Sequence, residues 1–194
     1  MPKVVDKVQR RIELLDAAVD TIADRGLEGA TLMDVARQAG VTTGTIGYYF
    51  RDKDELLVAA LERLAERLAE RLAAGSEELT FFHGDLGLHL PTNERARRFW
   101  RVWLAYCGAA PSSPRLLEAY RDFYADIERR IAAHLTARGH VDAQELAGAV
   151  VAAVDGIGLC ATVAPDLWPA ERQVQTMQVV LTPLLAETNP EVSP

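Results

Sequence analysis

The stretch TLMDVARQAGVTTGTIGYYFRDKDEL, residues 31–56, carries the reading of the fold. Thr31 stands where a helix N-cap stands, and Asp34 three residues later gives an aspartate variant of the capping box. Leu32, Val35, Ala36 and Ala39 then recur at helical spacing. Gly40-Val41 breaks this helix early, and Thr42 or Thr43 is placed to cap a second short one running to about Tyr49. Phe50-Arg51-Asp52 reads as a turn, with Asp52 as the N-cap of whatever follows. Upstream, Val8, Ile12, Leu15, Val19 and Ile22 form one apolar stripe at steps of four and three, and Gly26 stops that supporting helix.

Two short helices joined at a glycine and braced by a third make a helix-turn-helix, whose second helix enters the major groove of DNA. The exposed residues expected on that helix are Thr42, Thr43, Thr45 and Tyr48. Their hydroxyls can donate to phosphate oxygens, threonine methyls can touch thymine, and the helix N-terminus offers backbone N–H groups to a phosphate. Lys53 sits at a helix start, where the helix dipole disfavours a cation. That placement points to an external anion, and DNA phosphate fits it.

The same run resembles the signature of TetR-family repressors, T-x-x-x-I-A-x-x-A-G-V-S-x-G-x-[LI]-Y-x-Y-F-x-x-K-x-x-L. The resemblance implies that Thr31, Thr42, Thr43, Thr45, Tyr48, Tyr49 and Lys53 fall on positions that touch DNA. It also implies that Gly44 admits the backbone close to the duplex, that Ala39-Gly40-Val41 forms the turn and that Phe50 is core. There is one departure: Gly47 stands where the family usually has tyrosine. Either Tyr48 takes over that contact or the operator is read more through its backbone. The plainer reading of Tyr48 and Tyr49 is packing against the first helix.

Outward from this segment the pattern is helical almost throughout, with no convincing strand alternation. The expected class is all-α, with about nine helices. Residues 1–52 are the expected DNA-binding domain, 53–74 a connecting helix, and 75–190 a ligand-binding and dimerisation domain. The connecting helix buries Leu56, Leu57, Ala60, Leu61, Leu64, Leu68 and Leu72 and alternates Glu with Arg outside. A less regular piece, 77–90, precedes a helix opened by Pro91-Thr92 and running to about Ala109. Pro111-Ser-Ser-Pro114 is a loop, a long helix runs from it to Arg138, and Gly139 ends that helix. Helices 142–163 and 169–187 close the chain, with Pro183 placed to kink or end the last. A single short recognition helix reads few base pairs, so two copies at one-turn spacing are expected on a palindromic operator. The last two helices form an antiparallel pair suited to a four-helix dimer interface.

Phe99-Trp100-Arg-Val-Trp103-Leu-Ala-Tyr106 and Val154-Asp155-Gly156-Ile-Gly158-Leu159 are similar to the choline-responsive Bet-type branch of these regulators. That patchy resemblance implies a small amine or quaternary ammonium effector. Trp100, Trp103, Tyr106, Tyr120, Phe123 and Tyr124 can offer aromatic faces to a cation, or simply fill the core at helical spacing. Asp155, inside an apolar helix, needs a partner because an isolated buried carboxylate is costly. The partner is a neighbouring helix, the second subunit, or the cationic effector itself.

The net charge of −7 is an average; residues 1–11 carry Lys3, Lys7, Arg10 and Arg11 against Asp6. Cys107 and Cys160 match no metal or redox motif, and no apolar run follows the basic N-terminus, so a reduced cytoplasmic protein is expected. Residues 146–164 approach the length of a membrane span, but Asp155 at their centre and many Ala and Gly argue for a close-packed buried helix. No cofactor, phosphate-loop or nucleophile motif is found. The competing class, a metal-binding or enzymatic helical bundle, rests on His83-x-Asp85-x-x-x-His89, which holds no complete ligand set.

Overall fold

The computed structural model describes residues 2–75 and 90–184, with side chains over 7–67 and 90–183. Among the described residues eight α-helices follow one another: α1 (Pro2–Gly29), α2 (Leu32–Gln38), α3 (Thr43–Tyr49), α4 (Lys53–Gly75), α5 (Glu94–Ala109), α6 (Pro114–Ala137), α7 (Ala143–Val163) and α8 (Ala170–Leu184), with a 3-10 turn at Ala110–Ser112. No strand occurs among the described residues. The irregular piece 77–90 lies outside them except for Leu90, and so does the expected helix end beyond Leu184.

Gly26 has φ +72° and ψ 172°, so the first helix does break there, and a last turn continues to Gly29. Gly139 (φ +90°) likewise ends α6 in the left-handed region that glycine enters without steric cost. The opening of α5 differs from the sequence expectation. Its first turn is capped not by Thr92 but by Asn93, whose Oδ1 accepts from Ala96 N–H at 2.9 Å. Both are good caps; Pro91 and Thr92 fall in the turn before the helix.

The chain divides into two compact units, residues 1–75 with 98–123, and 76–97 with 124–194. In the first, Leu14, Leu15, Ala18 and Ile22 of α1 are buried together with Val35 of α2, Ile46 of α3 and Leu56, Ala60, Leu61 and Leu64 of α4. Arg63 of α4 reaches Asp16 of α1 at 2.9 Å, and Arg98 of α5 reaches Asp24 and Asp20 of α1 at 2.6 and 3.5 Å. Those carboxylates hold the Arg98 guanidinium above its ordinary pKa, chiefly through the Asp24 hydrogen bond. Tyr106 of α5 is buried and donates its hydroxyl to the Leu57 carbonyl at 2.5 Å. Burial pushes that phenol well up in pKa.

The second unit is built on α7 and α8, joined by the short connection 164–169. Leu146, Ala147, Val150, Val151 and Ile157 of α7 share a core with Met177 and Leu181 of α8, Ile131 and Leu135 of α6, and Leu90. Gln173 is buried at the start of α8 and donates to the Trp168 carbonyl at 2.8 Å. By length and hydropathy α7 would suffice to cross a membrane. The sequence reading of it as a buried helix holds for one face only. Ala152, Gly156, Leu159, Cys160 and Val163 recur at steps of three and four and are exposed on this chain.

Candidate DNA-reading surface and effector site

The two short helices are held by their own caps. Thr31 Oγ1 accepts from Asp34 N–H at 3.2 Å, Asp34 Oδ2 accepts from Thr31 N–H at 3.4 Å, and the Thr31 hydroxyl donates to the same oxygen at 2.5 Å. The capping box is complete with an aspartate in the usual glutamate position. The Thr31 hydroxyl is the main cause of an Asp34 pKa below the usual carboxylate range, and Arg25 and Arg37 add to it. The turn is equally determined. Val41 N–H donates to Ala36 O at 2.9 Å and Gly40 N–H to Arg37 O at 3.2 Å, the paired bonds of a Schellman motif, with Gly40 at φ +65°.

The alternative between Thr42 and Thr43 as cap of α3 resolves to Thr42. Its Oγ1 accepts from Thr45 N–H at 3.2 Å and lies 3.1 Å from the Thr45 hydroxyl. Ile46 is fully buried and pins the helix to the core, as does Phe50 immediately after it. The opposite face presents Thr42, Thr43, Gly44, Gly47 and Tyr48 to solvent, while Thr45 and Tyr49 are half-buried. Tyr48 is 69% exposed and meets Tyr49 edge to face at 5.1 Å. The ammonium of Lys7, on α1, lies 4.9 Å from the centre of the Tyr48 ring, and the Arg11 guanidinium lies 5.3 Å from that of Phe50. The sequence showed those basic residues but not where they stand. Only a pairing across some forty residues places them beside α3.

Asp52 caps α4 as expected, accepting from Glu55 N–H at 2.7 Å, and Arg115 at the start of α6 reaches the same oxygen at 3.3 Å. These contacts hold the Asp52 carboxyl below its ordinary pKa, the backbone bond contributing most. Contrary to the sequence expectation, the position of Lys53 does not call for an external anion. Its Nζ donates to Leu27 O at 3.0 Å and Glu28 O at 3.5 Å, so the carbonyls at the end of α1 already account for a cation at a helix start.

The predicted effector residues fall into two groups. In the first unit Trp103 stacks on Tyr120 at 5.7 Å and lies tilted against Phe123 at 4.5 Å. Trp100, Trp103 and Tyr106 are buried, whereas Tyr120 and Phe123 are half-buried. In the second unit the Tyr124 hydroxyl donates to Asp155 Oδ2. Asp155 is half-buried, and the partner of its carboxylate is a tyrosine on the neighbouring helix. Burial raises the Asp155 pKa, and the Tyr124 hydrogen bond works against that rise. His83, Asp85 and His89 lie outside the described residues; among those described, no cluster of metal-ligating side chains occurs.

Capped helices, a glycine turn and an exposed threonine-and-tyrosine face together define a helix-turn-helix DNA-binding protein. The comparisons specify which one. Residues 14–60 match the family of bacterial regulatory proteins, tetR family, and residues 86–186 match the BetI-type transcriptional repressor C-terminal family. The chain is 30% identical over 173 residues to the HTH-type transcriptional regulator PksA of Bacillus subtilis, covering 85% of this chain and 84% of that one. Among solved structures, a transcriptional regulator from Rhodococcus is 31% identical with a TM-score of 0.81, over 90% of this chain and 95% of that one. A putative transcriptional regulator from Saccharomonospora viridis, crystallised in complex with choline, is 26% identical with a TM-score of 0.78, over 90% and 96%. The chain belongs to the TetR family, with a BetI-type C-terminal part, and is a ligand-responsive transcriptional repressor.

Proposed function

We propose that two copies of this chain bind a palindromic operator in the cytoplasm and leave it when a small cationic amine binds. Residues 1–52 read DNA, 53–74 connect, and 75–190 sense and dimerise. The base-reading and phosphate contacts are assigned to Thr31, Thr42, Thr43, Gly44, Thr45, Tyr48 and Tyr49. The single observation that carries this is the face of α3, where five residues, capped by their own threonine and backed by buried Ile46, point no bulky group but Tyr48 at the duplex. Gly44 supports close approach, because a methyl group there would touch only Thr42 Oγ1 at 3.7 Å. The duplex, not the fold, then benefits from the missing side chain.

Dimerisation is assigned to α7 and α8. Leu159 and Val163 on α7 and Val179 on α8 are exposed apolar side chains on the two helices expected to pair. Burying them in a second copy removes apolar area from water. For the effector, the first unit offers the half-buried rings of Tyr120 and Phe123 with buried Trp100, Trp103 and Tyr106, and the second unit offers the half-buried ring of Tyr124 beside Asp155. Asp155 is the counter-charge. Choline, bound by the Saccharomonospora viridis protein, is the first compound to test.

The test is fluorescence anisotropy of a labelled duplex taken from the region upstream of the chain's own coding sequence. The wild-type chain is expected to bind it and to release it as choline or another small amine is added. Asp155→Asn is expected to bind the duplex as before and to ignore the amine. A wild-type complex that no amine dissociates, or an Asp155→Asn variant that still responds, overturns the amine assignment.

A further inference from the structure

The cations around α3 are almost all committed to partners within the chain. Arg25 and Arg37 face Asp34 at 3.7 and 3.1 Å, Arg51 is bound by Glu55 at 3.0 Å, and Lys53 is taken by the α1 carbonyls. On α1, Arg10 is paired with Glu13 at 2.7 Å. Lys7 and Arg11 are different. Both are exposed, and among the described residues neither has an acidic partner; each lies against an aromatic ring instead. A ring face occupies a cation without using its N–H donors. The two residues are four apart on one helix and therefore share a face. The rings they meet, Tyr48 and Phe50, lie at the end of α3 and just beyond it.

From this we infer that Lys7 and Arg11 form a phosphate-binding site on α1 that grips the DNA backbone beside the base pairs read by α3. The inference rests on α3 being the reading helix. The ligand is a pair of backbone phosphates of the operator, recognised by charge and not by sequence. A chain of net charge −7 repels DNA on average, so its affinity depends on local cations that are not already neutralised. Lys7 and Arg11 answer that description. Lys7 does a second thing: stacked on Tyr48, it restrains the one large exposed side chain of α3, which has glycine and no aromatic neighbour at position 47. Phosphate binding by Lys7 and contact of Tyr48 with the duplex are then coupled.

The experiment uses the full chain and a labelled duplex enriched by the wild-type protein from a random-sequence pool, with affinity read by anisotropy over a range of salt. Each phosphate contact contributes about 0.9 to the slope of log affinity against log salt, so Lys7→Gln in both protomers is expected to flatten it by about 1.8, and Lys7→Gln with Arg11→Gln by about 3.6. Lys7→Arg is expected to keep the wild-type slope. Lys7→Gln and Tyr48→Ala together are expected to lose less affinity than the product of the single losses, by about two- to fivefold. Unchanged slopes in both Gln variants overturn the site, and strictly multiplicative losses overturn its coupling to Tyr48. A wild-type chain that enriches no sequence overturns the reading of α3 itself, and this inference with it.

Discussion

Gly47 offers a perturbation whose sign can be worked out from the structure. It lies in α3, four residues after its first, in helical conformation and exposed. Glycine in a helix interior costs about 0.5–1 kcal/mol relative to alanine, because it has more backbone freedom to lose. That gain on replacement is realised only if the new methyl group fits. Here a Cβ meets no heavy atom within 4 Å, so nothing offsets it. Gly47→Ala is therefore expected to stabilise the free protein by about 0.5–1 kcal/mol. For a chain of this length, 1 kcal/mol moves the melting temperature by about 2–4 °C, so a rise of about 1–4 °C is expected. The assay is thermal denaturation followed by circular dichroism, wild type and variant at equal concentration. An unchanged or lower midpoint would mean that position 47 is not an open helical site. Because that face is assigned to DNA, the same variant separates stability from recognition: operator affinity is expected to change independently of the gain in melting temperature, read by anisotropy.

Three further substitutions probe the other elements. Thr42→Ala removes the α3 cap at a cost of about 1 kcal/mol and should lower both melting temperature and operator affinity, while Thr42→Ser, which keeps the hydroxyl, restores both. Tyr106→Phe loses the bond to the Leu57 carbonyl; that oxygen keeps its own helical partner, so the loss is expected at about 0.5–1.5 kcal/mol, seen as a melting temperature about 1–6 °C lower. Asp155 binds its proton more tightly in the folded chain than in the unfolded one, so its contribution to stability falls as pH rises from the ordinary carboxylate pKa of 3.8 through the raised folded value. The advantage of Asp155→Asn over wild type in urea midpoint should accordingly grow with pH across that window and then level off; an advantage that shrinks as pH rises contradicts the burial of this carboxylate.

The parts of the structure legible in the sequence are those fixed by local chemistry. Thr31 with Asp34, Gly40 and Asp52 each act on backbone groups within a few residues, so spacing alone reveals them. At the start of α5 the local signals competed, since Pro91, Thr92 and Asn93 are all turn or cap formers, and only the folded backbone shows that Asn93 closes the bond. What could not be read are pairings between distant residues. The partner of Asp155 is a tyrosine thirty-one positions away, and that of Lys53 is a pair of carbonyls at the far end of α1. Lys7 and Arg11 looked like a diffuse basic N-terminus until Tyr48 and Phe50 were brought against them. Periodicity identifies faces, whereas tertiary pairing decides which charges those faces leave open.

Whether α3 reads a two-fold-symmetric operator is decided by selecting duplexes from a random-sequence pool with the wild-type chain and with a variant carrying Thr43→Ala, Thr45→Ala and Tyr48→Ala. The wild type is expected to enrich an inverted repeat whose half-sites are centred about one helical turn apart, about 34–36 Å, or a multiple of it, and the variant, still folded, is expected not to. No enrichment by the wild type, or the same repeat enriched by both proteins, would contradict that role of α3.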